Sequence, residues 1–115
     1  MKRAIIVDDE ADIGHLMTRI LSKVDIECSN ATRIERAKEM IRNESYDIFF
    51  IDLNFPDGSG TELIPIIKEQ NEAPYIVIIS AEIDAEKAGF IDSIEVDGFI
   101  KKPFTKQEIL SVLPV

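Results

Sequence analysis

The stretch Asp47-Ile48-Phe49-Phe50-Ile51-Asp52 decides the fold. Four bulky apolar residues run unbroken between two acids, the pattern of a strand buried on both faces in the middle of a parallel sheet. Asp52 cannot follow that run into a core. It is expected to emerge at the carboxyl end of the strand, where open α/β sheets hold their ligands. The residues that follow, Leu53-Asn54-Phe55-Pro56-Asp57-Gly58-Ser59-Gly60, are rich in turn formers and read as a loop bordering a site.

Two further apolar runs match the first. Ala4 to Val7 ends in Asp8-Asp9-Glu10, and Tyr75 to Ile79 ends in Ser80. Val24-Asp25-Ile26-Glu27-Cys28 alternates instead, as a half-exposed edge strand does, with Cys28 facing inward beside Val24 and Ile26. Phe99-Ile100 is a short fifth strand leading into Lys101-Lys102-Pro103-Phe104. Helices are expected between the strands. Ile13, Leu16, Met17, Ile20, Leu21 and Val24 fall on one helical face. Thr32 with Glu35, Ser59 with Glu62 and Thr105 with Glu108 each have capping-box spacing. Pro65 requires either that the third helix begins near it or that the first turn is distorted. Residues 82–94 read as a weaker helix, because Gly89 costs about 1 kcal/mol against alanine. Strand and helix alternating in this way call for a parallel five-stranded sheet with helices on both faces, a flavodoxin-like (βα)5 sandwich of order 2-1-3-4-5.

Composition sets the class. The 115 residues are 45% hydrophobic and 30% charged, with a formal net charge of −9, so one domain spanning 1–115 with a single core is expected. The acidic balance argues against nucleic-acid binding, which wants clustered Lys and Arg. No stretch approaches a membrane span, and the start turns acidic too soon for a signal peptide. Cys28 is the only cysteine, so no intrachain disulfide or metal knuckle is expected. A cytoplasmic location is the default.

In the order 2-1-3-4-5 the first and third strands are neighbours about 4.8 Å apart. Their carboxyl ends bring Asp8, Asp9 and Asp52 together, and such carboxylates raise one another's pKa unless a cation intervenes. Hard oxygen ligands of high charge suit Mg²⁺. Ser80 offers a hydroxyl from the next strand end, and Lys102 an ammonium from the last. That set suits a phosphoryl group, with Asp52 as the nucleophile that becomes an acyl phosphate.

These residues give the chain its resemblance to the response-regulator receiver domains of two-component signalling. Asp8-Asp9 match the family's acidic pair. Asp52, Pro56 and Gly60 match its Asp-x-x-x-Pro-x-x-x-Gly pattern, Ser80-Ala81 its Ser/Thr-Ala step, and Lys102-Pro103-Phe104 its Lys-Pro-Phe signature. The resemblance implies that Asp52 is the phosphoacceptor and that the Asn54 backbone carbonyl joins the metal ligands. It implies that small Ala81 leaves the phosphoryl room, and that Phe99 swings inward when Ser80 turns toward it. The chain departs from the family at Asp57-Gly58-Ser59-Gly60, at Glu95-Val96 in place of a Gly-Ala pair, and at Phe99, which lacks a tyrosine hydroxyl.

By the same resemblance the donor is a phosphohistidine on a sensor histidine kinase or histidine phosphotransfer protein. The output face is the fourth helix, fifth strand and fifth helix, acting on a downstream target or on an effector domain outside these residues. A second copy of the chain is another candidate partner for that face. Two rivals remain open: a small Mg²⁺-dependent phosphatase and a pseudo-receiver that keeps the fold for contacts alone.

Overall fold

A computed structural model describes residues 2–81, 88–89 and 96–114. The elements in chain order are β1 (Lys2–Val7), α1 (Ala11–Ser22), β2 (Ile26–Ala31), α2 (Ile34–Asn43) and β3 (Ile48–Asp52). Then come the two-residue strands β4 (Asn54–Phe55) and β5 (Gly58–Ser59), a 3₁₀ turn (Gly60–Glu62), α3 (Leu63–Gln70), β6 (Tyr75–Ser80), β7 (Gly98–Lys101) and a C-terminal helix (Lys106–Ser111). The main sheet runs β2-β1-β3-β6-β7, all parallel. With the small β4–β5 hairpin set aside, this is the expected flavodoxin-like order.

All five residues of β3 are buried, as the unbroken apolar run required. Alternation along the strands then splits the expected single core into two layers, one on each face of the sheet. Ile5, Val7, Phe49, Ile51, Ile76 and Ile78 face α2 and α3, where Ile34, Ala37, Ile41, Leu63, Ile64 and Ile67 meet them. Ala4, Ile6, Ile48, Phe50, Val77, Ile79 and Ile100 face Met17, Ile20 and Leu21 of α1 and Ile109 of the C-terminal helix. The sheet is therefore the middle of three layers.

The helix starts divide instructively. Ser59 with Glu62 and Thr105 with Glu108 both form complete capping boxes. Thr32 with Glu35 does not: the N-cap of α2 is Arg33, which makes no side-chain cap bond. The Ile34 N–H is instead met by the Asp57 carboxylate, reaching over from the hairpin at 3.4 Å. Of the two options at Pro65 the chain takes the first: the regular helix begins close to it, at Leu63. A 3₁₀ turn precedes α3, and Pro65 sits in the first α turn, where a missing N–H leaves no partner unmet.

Two expectations need correcting, and one lies out of view. The second strand runs Ile26–Ala31 rather than 24–28, because Asp25 turns the chain with φ 67°. Val24 accordingly stays 45% exposed instead of facing inward beside Cys28, which is itself half-buried. The helix expected over 82–94 falls mainly outside the described residues. Ala88 and Gly89 within it are helical.

Candidate functional site

Strand register aims the site. Val7 lies opposite Ile51, Asp52 opposite Ile79 and Ser80 opposite Lys101, so four strands stop at nearly one level. The alternation that places Ala4, Ile6, Ile48, Phe50 and Ile100 on the α1 side continues one step further at Asp8, Asp52 and Lys102. Three charged side chains thereby inherit positions on an apolar face at its very end. That is why the two carboxylates are buried: Asp8 is 2% exposed and Asp52 3%.

Lys102 joins them. Its Nζ lies 2.6 Å from Asp8 Oδ2 and 3.0 Å from Asp52 Oδ2, with the lysine side chain only 10% exposed. Asp8 Oδ2 is fully buried and, beyond that ion pair, has no hydrogen-bond partner among the described residues. Its other oxygen accepts the Glu10 backbone N–H at 2.9 Å. Asp52 Oδ1 accepts the Asn54 backbone N–H at 3.3 Å, and the Asn54 side-chain amide donates to Ser80 Oγ at 3.4 Å. Ser80 is fully buried, and the Lys102 N–H donates to its carbonyl at 2.9 Å, which ties the lysine-bearing loop to the end of β6.

The electrostatics are unbalanced. Burial pushes the Asp8 carboxyl above the ordinary aspartate range; Lys102 and the Glu10 N–H pull it back without offsetting the effect, and the Asp52 charge adds to the rise. Burial pulls Lys102 down, but its bonds to Asp8 and Asp52 more than offset this and hold the ammonium above the usual lysine value. Among the described residues one ammonium serves two buried carboxylates, and a third, exposed Asp9, is close by. Carboxylate oxygens of Asp8, Asp9 and Asp52 all lie within 4.8 Å of one another. An oxygen-only donor set with surplus negative charge fits a hard divalent cation.

Asp8, Asp9, Asp52, Asn54, Ser80 and Lys102 are thus brought together as the sequence predicts. Ala81 follows Ser80 directly and is exposed. Phe99 stands apart: on β7 it lies opposite Ile78 with the other alternation, and it is 42% exposed. The Glu10 backbone N–H that meets Asp8 has no counterpart in the sequence reading, since a main-chain donor leaves no residue-type signal.

Known proteins share the sequence pattern and the fold of this chain. The family model described as a response regulator receiver domain matches residues 4–114. Response regulator protein PilR of Pseudomonas aeruginosa is 32% identical over 108 residues, which are 89% of this chain and 23% of PilR. Sensory transduction protein LytR of Staphylococcus saprophyticus is 35% identical over 114 residues, covering 93% of this chain and 42% of LytR. The chain therefore spans less than half the length of either relative. Among solved structures, response regulator protein TrrA of Thermotoga maritima, in complex with Mg(2+)-BeF, superposes with a TM-score of 0.81 at 26% identity, covering 98% of this chain and 100% of TrrA.

Proposed function

The chain belongs to the response regulator receiver domain family, and on that premise we propose that it is a phosphoacceptor switch whose reactive residue is Asp52. The observation that carries this reading is the Lys102 ammonium held between two buried carboxylates, at 2.6 Å from Asp8 and 3.0 Å from Asp52. An Asp52 oxygen attacks the phosphorus of a phosphohistidine. The P–N bond breaks, the imidazole leaves with the electron pair, and an acyl phosphate remains on Asp52. Lys102 is placed to neutralise the phosphoryl oxygens, and the Ser80 hydroxyl to donate to one of them. Small Ala81 leaves that group room. Asp8, Asp9, Asp52 and the Asn54 carbonyl would hold Mg²⁺, which when bound supplies positive charge against the phosphoryl oxygens. Water attack at phosphorus later returns the free carboxylate and releases inorganic phosphate.

The donor would be a sensor histidine kinase or a histidine phosphotransfer protein. The output would pass through Phe99 and its surroundings to a target protein, an effector domain or a second copy of the chain. On this reading the chain turns over no outside substrate and acts in the cytoplasm. No helix among the described residues is long and apolar enough to cross a membrane.

Incubation with Mg²⁺ and acetyl phosphate, followed by intact-mass measurement, tests the proposal. One phosphoryl group should be gained by the wild-type chain and none by Asp52→Ala. A wild-type chain that stays unmodified with acetyl phosphate, and also with a phosphohistidine donor, would contradict it.

A further inference from the structure

After Asp52 the chain folds straight back to its starting point. Asn54 pairs with Ser59 and Phe55 with Gly58, Pro56 and Asp57 make the turn, and the Gly60 N–H donates to the Leu53 carbonyl at 3.0 Å. This ladder returns Gly60 onto the Asp52 peptide itself. A Cβ built at Gly60 would run into the Asp52 carbonyl oxygen and carbon and press on Ile51 Cγ2. Gly60 does not have a left-handed φ, unlike Gly58. Glycine is needed here for room alone.

The contact is also held from the far side. Gly60 opens the 3₁₀ turn that leads into α3, and that turn carries the complete Ser59–Glu62 capping box, with the Ser59 N–H donating to Glu62 Oε2 at 2.9 Å. Leu63 and Ile64, next in sequence, are buried in the core that also holds Ile51 and Leu53. The start of α3 is thereby fixed behind the end of β3.

We propose that the hairpin and the first turn of α3 form a backstop for the phosphoacceptor, with Gly60 a positioning residue and the Ser59–Glu62 box the clasp that keeps it seated. The inference rests on the reading of Asp52 as phosphoacceptor. The hairpin closes on the peptide of Asp52, so a side chain at Gly60 must displace either that peptide or the helix start. Displacing the peptide carries the carboxylate away from Lys102 and from the line of attack. Reaction rates fall steeply with such shifts, by about 10²-fold for 1 Å.

The test compares phosphorylation rates at saturating Mg²⁺ and acetyl phosphate, at a temperature where circular dichroism shows every variant folded. Gly60→Ala should be slowed by about tenfold or more. Glu62→Ala, which opens the clasp, should be slowed a few-fold, while Glu62→Gln, which can still accept the Ser59 N–H, should stay near wild type. Ile41→Val, a core change in α2 remote from the hairpin, should leave the rate alone. A folded Gly60→Ala reacting at the wild-type rate would overturn the proposal, as would Ile41→Val slowing the reaction as much as Glu62→Ala. Where Gly60→Ala does not fold, equal rates for Glu62→Ala and Glu62→Gln overturn it. A wild-type chain that gains no phosphoryl group contradicts the phosphoacceptor reading instead, so the two failures are distinct.

Discussion

Two clusters of mixed charge occupy the two ends of the parallel sheet, each with one cation among several acids in the described residues. At the amino end Arg3 pairs with Glu44 at 3.0 Å and Glu27 at 3.6 Å, donates to the Ser45 carbonyl at 3.1 Å and lies 5.1 Å above the Tyr46 ring. Its backbone N–H reaches Asp47 at 2.8 Å. At the carboxyl end Lys102 pairs with Asp8 and Asp52. The charge count is similar and the consequence is not. Arg3, Glu27 and Glu44 are open to solvent, where water and salt absorb the surplus of acid. Lys102, Asp8 and Asp52 are shielded from solvent, so the surplus remains as a local demand for positive charge. The first cluster ties loop to strand, and the second is chemically poised.

The sharpest way to break this contrast is to remove each cation. Lys102→Met should slow phosphorylation of Asp52 by about 10²- to 10³-fold, the range seen when one preorganised charge partner is lost. It should also cost about 3 kcal/mol of folding stability, since two buried carboxylates lose the one ammonium that pairs with them among the described residues. Urea melts and intact-mass time courses check the two effects separately.

Asp8→Asn comes next. Mg²⁺ affinity should fall by about tenfold or more, read by titration of the metal-free chain. Stability should move the other way. A carboxyl whose folded pKa is raised favours folding while protonated, below its ordinary value of 3.8, and that contribution is lost as pH rises through the folded value. At neutral pH the ionised Asp8 therefore works against the fold. The asparagine variant should melt higher than wild type in metal-free buffer, and its advantage should vanish as pH falls toward 3.8. An advantage that grows on acidification would refute the imbalance.

Arg3→Met should have the smallest effect. The phosphorylation rate should be unchanged, and a modest loss of melting temperature should shrink further in high salt, as exposed ion pairs require. A slowed phosphotransfer in this variant would erase the distinction between the two ends.

The contrast also bears on what a sequence can reveal. Ile48–Asp52 was legible because an unbroken apolar run admits few environments, and its closing acid had only one way out. Three strand ends then fixed Asp8, Asp52 and Lys102 without further information. The capping boxes at Ser59 and Thr105 are local and formed as read. Thr32 has the same spacing but not the same outcome, because Asp57, distant in sequence, reaches the start of α2 instead. The hairpin itself shows in the sequence only as a turn-rich loop. Strands of two residues are too short to show alternation, and the tightness of Gly60 against Asp52 depends on where the return strand lands. At Val24 the alternating pattern ran into Asp25, whose φ of 67° turns the chain before the strand begins. Patterns carried by one element were readable; those settled between elements were not.

Locating the phosphoryl group tests most directly whether Asp52 is the metal-dependent phosphoacceptor. The chain would be treated with acetyl phosphate and Mg²⁺, the acyl phosphate trapped by borohydride reduction, and the modified residue identified by peptide mass spectrometry. Modification is expected at Asp52 alone, and should be lost when Mg²⁺ is chelated. Modification at Asp8 or Asp9, or at Asp52 with no need of the metal, would contradict that role.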